Sequence, residues 1–189
     1  LTQSALNVDS FSLYNKAGFV PRYAYQDMLV SVPDAGGNWH HDYDDRVRDA
    51  VMPDIPEMIA LEMSVSGISR EEDYRYCIQN SRGIWHVSVA ENPSGKIEGF
   101  LISCGHPAMN LIGPGVASNE QAMVSLICRE LNQYPGRMPV VLVPMEKDWL
   151  VRQLYELGAR NCEMHFCQVR GQFQPFNGVN IPTFLPETG

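Results

Sequence analysis

Lysine is nearly missing from this 189-residue chain: Lys16, Lys96 and Lys147 are the whole set, the arginines are scattered, and the net charge is -8. Binding to nucleic acid draws on counterion release by clustered Lys and Arg, so the composition argues against a nucleic-acid partner. No apolar run approaches the ~20 residues of a membrane span, and no basic, apolar signal peptide opens the chain. A membrane partner is therefore not expected. The five cysteines, Cys77, Cys104, Cys128, Cys162 and Cys167, form no CxxC pair and leave one over. That argues against a disulfide framework and for reduced thiols in a cytoplasmic protein.

What is present suits a folded domain. Hydrophobic residues make up 44% of the chain, enough for a buried core. The acidic balance suits a cationic amine substrate, although most soluble cytoplasmic proteins share it.

Residues 7–19 read as a helix. Asn7 is placed to cap its start, Asp9 and Ser10 sit in its first turn, and Gly18 is placed to stop it. Val20 to Val32 reads as a strand. One helix and one strand cannot bury a core, so residues 1–32 must dock on something else. The chain starts at Leu1 without methionine, which reads as a fragment or a trimmed chain. Pro33–Asn38 is a linker by its turn residues, extended to residue 45. His40, His41, Asp42, Asp44 and Asp45 carry metal-ligating groups there, but adjacent residues on an extended segment point in opposite directions. A solvated linker is the favoured reading.

A second unit begins at Arg46. Strand 46–51 precedes helices 54–66 and 69–79, the second opened by the capping box Ser69–Glu72. Strands 84–91 and 96–104 form a hairpin through Asn92–Gly95. Strand 109–117 contains Gly113–Pro114–Gly115. A capping box at Ser118–Gln121 opens helix 118–132. The apolar run 139–145 reads as a central strand, helix 148–157 stops at Gly158, and 162–169 alternates as a strand. Residues 172–189 read as an extended tail. Its end, Leu185–Gly189, matches a sortase signal without the apolar and basic residues that must follow one, and reads as a natural Pro-rich tail or an added tag. The order is an α/β mixed sheet with helices on both faces.

This order over 46–171, together with Asn7, Tyr14 and Gly18–Phe19, resembles the GNAT superfamily of acetyl-CoA-dependent N-acetyltransferases. Residues 1–32 resemble the closing helix and strand of a first GNAT unit, and 46–171 a second, so the chain resembles a tandem protein truncated at its N-terminus. The resemblance implies that Asn7 contacts the cofactor, acetyl-CoA or another acyl-CoA, and that Tyr14 protonates the leaving thiolate. A phenol held against sulfur can supply that proton; a Tyr sealing the helix against the sheet is the other reading. Helix 148–157 is a weakened repeat about 140 residues on, with Lys147 for Asn7, Leu154 for Tyr14 and Gly158–Ala159 for Gly18–Phe19. Tyr155 is one position off, so the thiolate acid of the second unit falls to Glu146 or a water.

In the family a glycine-containing loop wraps the CoA pyrophosphate at a helix N-terminus. The matching stretch here is Val116, Ala117, Ser118, Asn119, Glu120, Gln121 and Ala122, without glycine, and these residues apart from Glu120 are the candidate cofactor contacts. Glu91, Glu98 and Glu146 are candidate bases, and Cys104–His106 reads as a buried Cys beside a loop His. Two functions stay open. One is acetyl transfer to a primary amine, small-molecule or peptide, in the cleft between splayed strands. The other is a catalytically silent GNAT-like unit acting as a binding or dimerisation half, with a homodimer as one form of it.

Overall fold

The structure, a computed structural model, describes residues 1–37, 39, 44–106 and 108–182. Its elements are β1 (Thr2–Ser4), α1 (Val8–Lys16), β2 (Val20–Leu29), β3 (Val47–Asp49), α2 (Ile55–Ser66), α3 (Glu71–Gln79), β4 (Trp85–Glu91), β5 (Ile97–His106), β6 (Met109–Ala117), α4 (Glu120–Leu131), β7 (Val140–Pro144), α5 (Asp148–Glu156), β8 (Arg160–Val169) and β9 (Val179–Ile181). Single turns of 3-10 helix occupy Asp44–Arg46 and Met52–Asp54. Among the described residues the strands form one mixed sheet in the order β1-β8-β2-β7-β6-β5-β4-β3, with β9 paired to β6 off that path.

Side-chain alternation along the strands divides the core between two faces. On β5, Phe100 and Ile102 pack with Ile55, Met58 and Tyr74 of α2 and α3. Leu101 between them packs on the other face with Leu126 and Ile127 of α4 and Leu150 and Leu154 of α5. The mixed sheet with helices on both faces is therefore as expected.

Three details differ from the sequence reading. The helix at 120 is capped by Asn119, whose Oδ1 accepts from the Ala122 N–H at 2.8 Å, and not by Ser118. The Ser118 N–H donates to the Glu98 carbonyl, which ties Ser118 to β5 just past the end of β6 and moves the helix start one position on. The helix at 71 begins after Arg70, with no side-chain cap from Ser69. Two short strands, β1 and β9, went unread because three residues carry too little alternation to register.

Residues 1–32 dock by strand insertion. β2 lies between β7 and β8, antiparallel to both. The arrangement has an internal two-fold. α1, β2 and β1 match α5, β8 and the end of β7 at a constant offset of 140 positions. Tyr25 lies opposite His165, its own counterpart, so the axis passes between them. Val20 pairs with Val169 and Leu29 with Arg160, as the same rotation demands, and the two register shifts in this pairing are themselves related by it. Gln3 opposite Phe166 likewise mirrors Gln26 opposite Val143.

Candidate functional site

β6 and β7 run parallel and pair only at Leu111–Val140 and Ile112–Val141, after which they diverge. β9 enters the gap. It pairs antiparallel with β6 through Gly115–Ile181, Val116–Asn180 and Ala117–Val179. Val179 and Ile181 are buried among Ala117, Val143, Leu150 and Leu154, so the tail strand is part of the main core. Glycine makes this close approach feasible. A Cβ on Gly113 would lie 2.5 Å from the Pro182 carbonyl oxygen, and one on Gly178, at φ +140, 2.4 Å from that of Ala117. Gly113 thus serves passage of the tail across β6.

The tail reaches the gap by crossing the opposite end of β2. Tyr23 stacks on Phe176 with ring centroids 4.5 Å apart and meets Phe173 at 5.9 Å. The Tyr23 hydroxyl accepts from the Phe176 N–H at 2.8 Å, and the Arg22 guanidinium lies 4.7 Å from the Phe173 ring centre. Asn177 N–H then donates to the Val65 carbonyl at the end of α2.

The residues expected to hold a cofactor in the second unit are placed around this filled gap. Val116 and Ala117 are fully buried and bonded to β9, and Ala122 is buried. Ser118 and Gln121 are exposed, and Asn119 is occupied as the cap of α4. The Asn119 amide also donates to a Glu98 carboxylate oxygen at 3.3 Å. Glu120 spans to α5, its carboxylate accepting from the Leu150 N–H at 2.7 Å. Two carboxylates and a self-capped helix start do not fit a pyrophosphate, which needs open N–H groups and no adjacent negative charge. The gap beside them holds protein. A CoA arm does not fit here.

Glu146 is exposed, beyond the end of β7, and its charge raises the Tyr25 phenol pKa after the larger effect of burial. Leu154, at the position of a thiolate acid, is fully buried, and the Tyr155 hydroxyl hydrogen-bonds Gln26 at 3.2 Å. Asn7 caps α1, accepting from Ser10 N–H at 3.0 Å, and is otherwise exposed. Tyr14 is half-buried, edge-on to Phe19. Glu91 is tied to Arg48, Cys104 is buried, and the exposed His106 ring accepts from Ala108 N–H. None of the five cysteines is in a disulfide; Cys77, Cys104 and Cys128 are buried and Cys162 is exposed. His40, His41, Asp42, the side chain of Asp44 and Leu185–Gly189 lie outside the described residues.

No protein-family model matches the chain, and no curated protein matches it by sequence. Solved structures do. A protein from Pyrococcus horikoshii assigned as an acetyltransferase superposes with TM-score 0.65 at 15% identity, over 97% of this chain and 57% of that one. The GCN5-related N-acetyltransferase from Sphaerobacter thermophilus gives 0.57 at 14%, over 94% and 61%. The fold is that of the GNAT N-acetyltransferases. The yeast N-myristoyltransferase with bound myristoyl-CoA has it too, with TM-score 0.51 at 12% identity over 83% of this chain and 51% of that one. The chain thus spans little more than half the length of these GNAT-fold structures. No helix among the described residues is long and apolar enough to cross a membrane.

Sequence reasoning missed the filling of the GNAT splay. The available signal was the alternation of Val179 and Ile181 after Gly178, within a segment otherwise rich in turn residues.

Proposed function

We propose that this chain belongs to a cytoplasmic acyl-CoA-dependent N-acetyltransferase built of two GNAT units. Residues 1–32 complete the catalytic first unit, and residues 46–171 are a second unit without a cofactor of its own. The observation that carries this reading is the splay of the second unit, filled by β9, beside an equivalent position at β1 and α1 that none of the described residues fills. α1 buries no residue, and Leu6, Val8 and Leu13 around it are 80%, 67% and 62% exposed. β1 is an edge strand. Their two-fold counterparts, α5 and β7, are covered by α4, β6 and β9. The occupant that fits α1 and β1 is therefore another GNAT unit, docked as residues 46–131 dock on α5 and β7. In it, Asn7 would contact acetyl-CoA or another acyl-CoA and Tyr14 would protonate the thiolate, as the resemblance implies. The acceptor is a primary amine, of a small molecule or a peptide.

Calorimetry tests the division of labour. The 189-residue chain should show no heat with millimolar acetyl-CoA, and the two-unit protein should bind it and acetylate an amine. Saturable binding to the chain alone, with β9 displaced, would support transfer in the second unit's own cleft, with Glu146 or water as the acid.

A further inference from the structure

Resting on that two-unit reading, we propose that Asp27, Glu163 and His165 form the acceptor-amine side of the first unit's reaction centre. In this site His165 takes the amine proton and Glu163 holds the incoming ammonium. The second unit thereby supplies Glu163 and His165 through β8, while Asp27 stands on β2 of residues 1–32.

Placement supports it. Asp27 lies directly opposite Glu163, and His165 follows two positions later on the same face of β8. Their ligand atoms all lie within 4.8 Å of one another. On the next strand Ser4, the last residue of β1, lies opposite His165 and donates its hydroxyl to Glu163. The cluster is thus fastened to the end of the strand that leads into the helix bearing Tyr14. α1 packs on the other face of the sheet, where Phe11 meets Phe166 with ring centroids 5.5 Å apart. An acid for the departing thiolate and a base for the arriving amine would then stand on opposite faces, beside one strand end.

The chemistry of the group is that of a positioned base. His165 Nδ1 and Asp27 Oδ1 are 2.8 Å apart, and the Asp27 side chain is only 6% exposed. That hydrogen bond fixes the ring and its tautomer and makes Nε2 the proton-exchanging nitrogen. The same bond, opposed by burial and helped by Glu163, holds the imidazole above its usual pKa and closer to that of an amine. Tyr25, across the strand, and Cys167, two positions on along the same face of β8, are further titratable neighbours, and burial pushes the pKa of both up, so they stay neutral. A cationic headgroup needs acceptors alone, and two carboxylates provide them. In the reaction an ammonium first gives a proton to His165. The amine nitrogen then bonds to the thioester carbonyl carbon, the C–S bond breaks, and the thiolate takes a proton from Tyr14. The nitrogen's second proton restores the phenol through solvent, and His165 releases its own to water.

The two-fold provides an internal control. The counterparts of Ser4, Asp27, Glu163 and His165 are Pro144, Cys167, Tyr23 and Tyr25, which carry no carboxylate and no imidazole. That side is the one the tail aromatics cross. The carboxylate–imidazole cluster is present on one side of the axis and has no equivalent at the matching positions on the other.

The test is the pH profile of acetyl transfer from acetyl-CoA to n-butylamine by the two-unit protein. H165Q should lower kcat about 10²- to 10⁴-fold and abolish the acidic limb of kcat/KM. E163Q should raise KM for the amine about tenfold with a smaller change in kcat. A variant H165Q that folds and keeps the wild-type profile overturns this inference and leaves the two-unit reading standing. Wild-type protein without transfer overturns both. In the 189-residue chain, n-butylammonium should shift the His165 ring resonances and not those of His86. Absence of that shift at saturation, or tight Zn²⁺ binding lost in H165Q, counts against an amine site even if a variant fails to fold.

Discussion

The two sides of the internal axis share a backbone and differ in nearly everything else. Around Ser4, Asp27, Glu163 and His165 the groups are ionisable and hydrogen-bonded to one another. Around Pro144, Cys167, Tyr23 and Tyr25 they are aromatic or weakly polar, and the chain's own tail crosses them before filling the splay. Main-chain pairing preserves symmetry because it depends on strand register and not on side-chain identity. Chemistry is a property of side chains, and it has been kept on one side only.

The comparison can be broken most severely at β9. Replacing Ile181 by Ala should cost about 2–5 kcal/mol in urea unfolding, because the side chain is fully buried against the α4–α5 core. A cost near that of an exposed site would mean that β9 does not fill the splay in solution. Gly178→Ala comes next, at about 1–3 kcal/mol, since its φ of +140 and the Ala117 carbonyl oxygen both exclude a Cβ. Neutral behaviour there, by the same measurement, would contradict the close approach.

The pH dependence sharpens the contrast. His165 has its pKa raised by the Asp27 hydrogen bond. His86 has its own raised because the hydrogen bond and charge of buried Glu130 outweigh burial. A raised folded-state value contributes stability that is fully present below the unfolded value, about 6.5, and is lost as pH rises through the folded value. The urea midpoint should therefore fall as pH rises above about 6.5, and less steeply in H165Q and in H86Q. On the other side Cys167 and Tyr25 are pushed upward by burial, so C167S should leave that slope unchanged. A slope indifferent to both histidines would remove this distinction. The smallest effect is expected from Tyr23→Leu, about 0.5–1.5 kcal/mol from the lost stack on Phe176. It should show as faster proteolysis of the segment after Val169.

Much of the architecture is legible in the sequence. Asn7 and Gly18 bound α1 as their residue types demand, because caps and stops are local devices. The apolar run at 140–144 became a central strand, since only a strand covered on both faces tolerates that composition. The repeat between the helices at 8–16 and 148–156 was visible through the GNAT resemblance, with Lys147, Leu154 and Gly158–Ala159 at the places of Asn7, Tyr14 and Gly18–Phe19. The missing glycines of the pyrophosphate loop were visible too, and Asn119, Glu98 and Glu120 turn that absence into a physical misfit. The pairing of Asp27 with His165 was not legible, because 138 positions separate them and only the insertion of β2 beside β8 joins them.

Sequence by itself determined the elements, their order, the scarcity of positive charge and the repeat at 140 positions. Each depends on neighbours within a few residues, or on counting. Tertiary structure alone decided that β2 enters the sheet between β7 and β8, that β9 closes the splay, and that two carboxylates and an imidazole meet beside Ser4. Those outcomes come from long-range strand pairing and shared burial, and no local window of the chain encodes which distant segment supplies the partner.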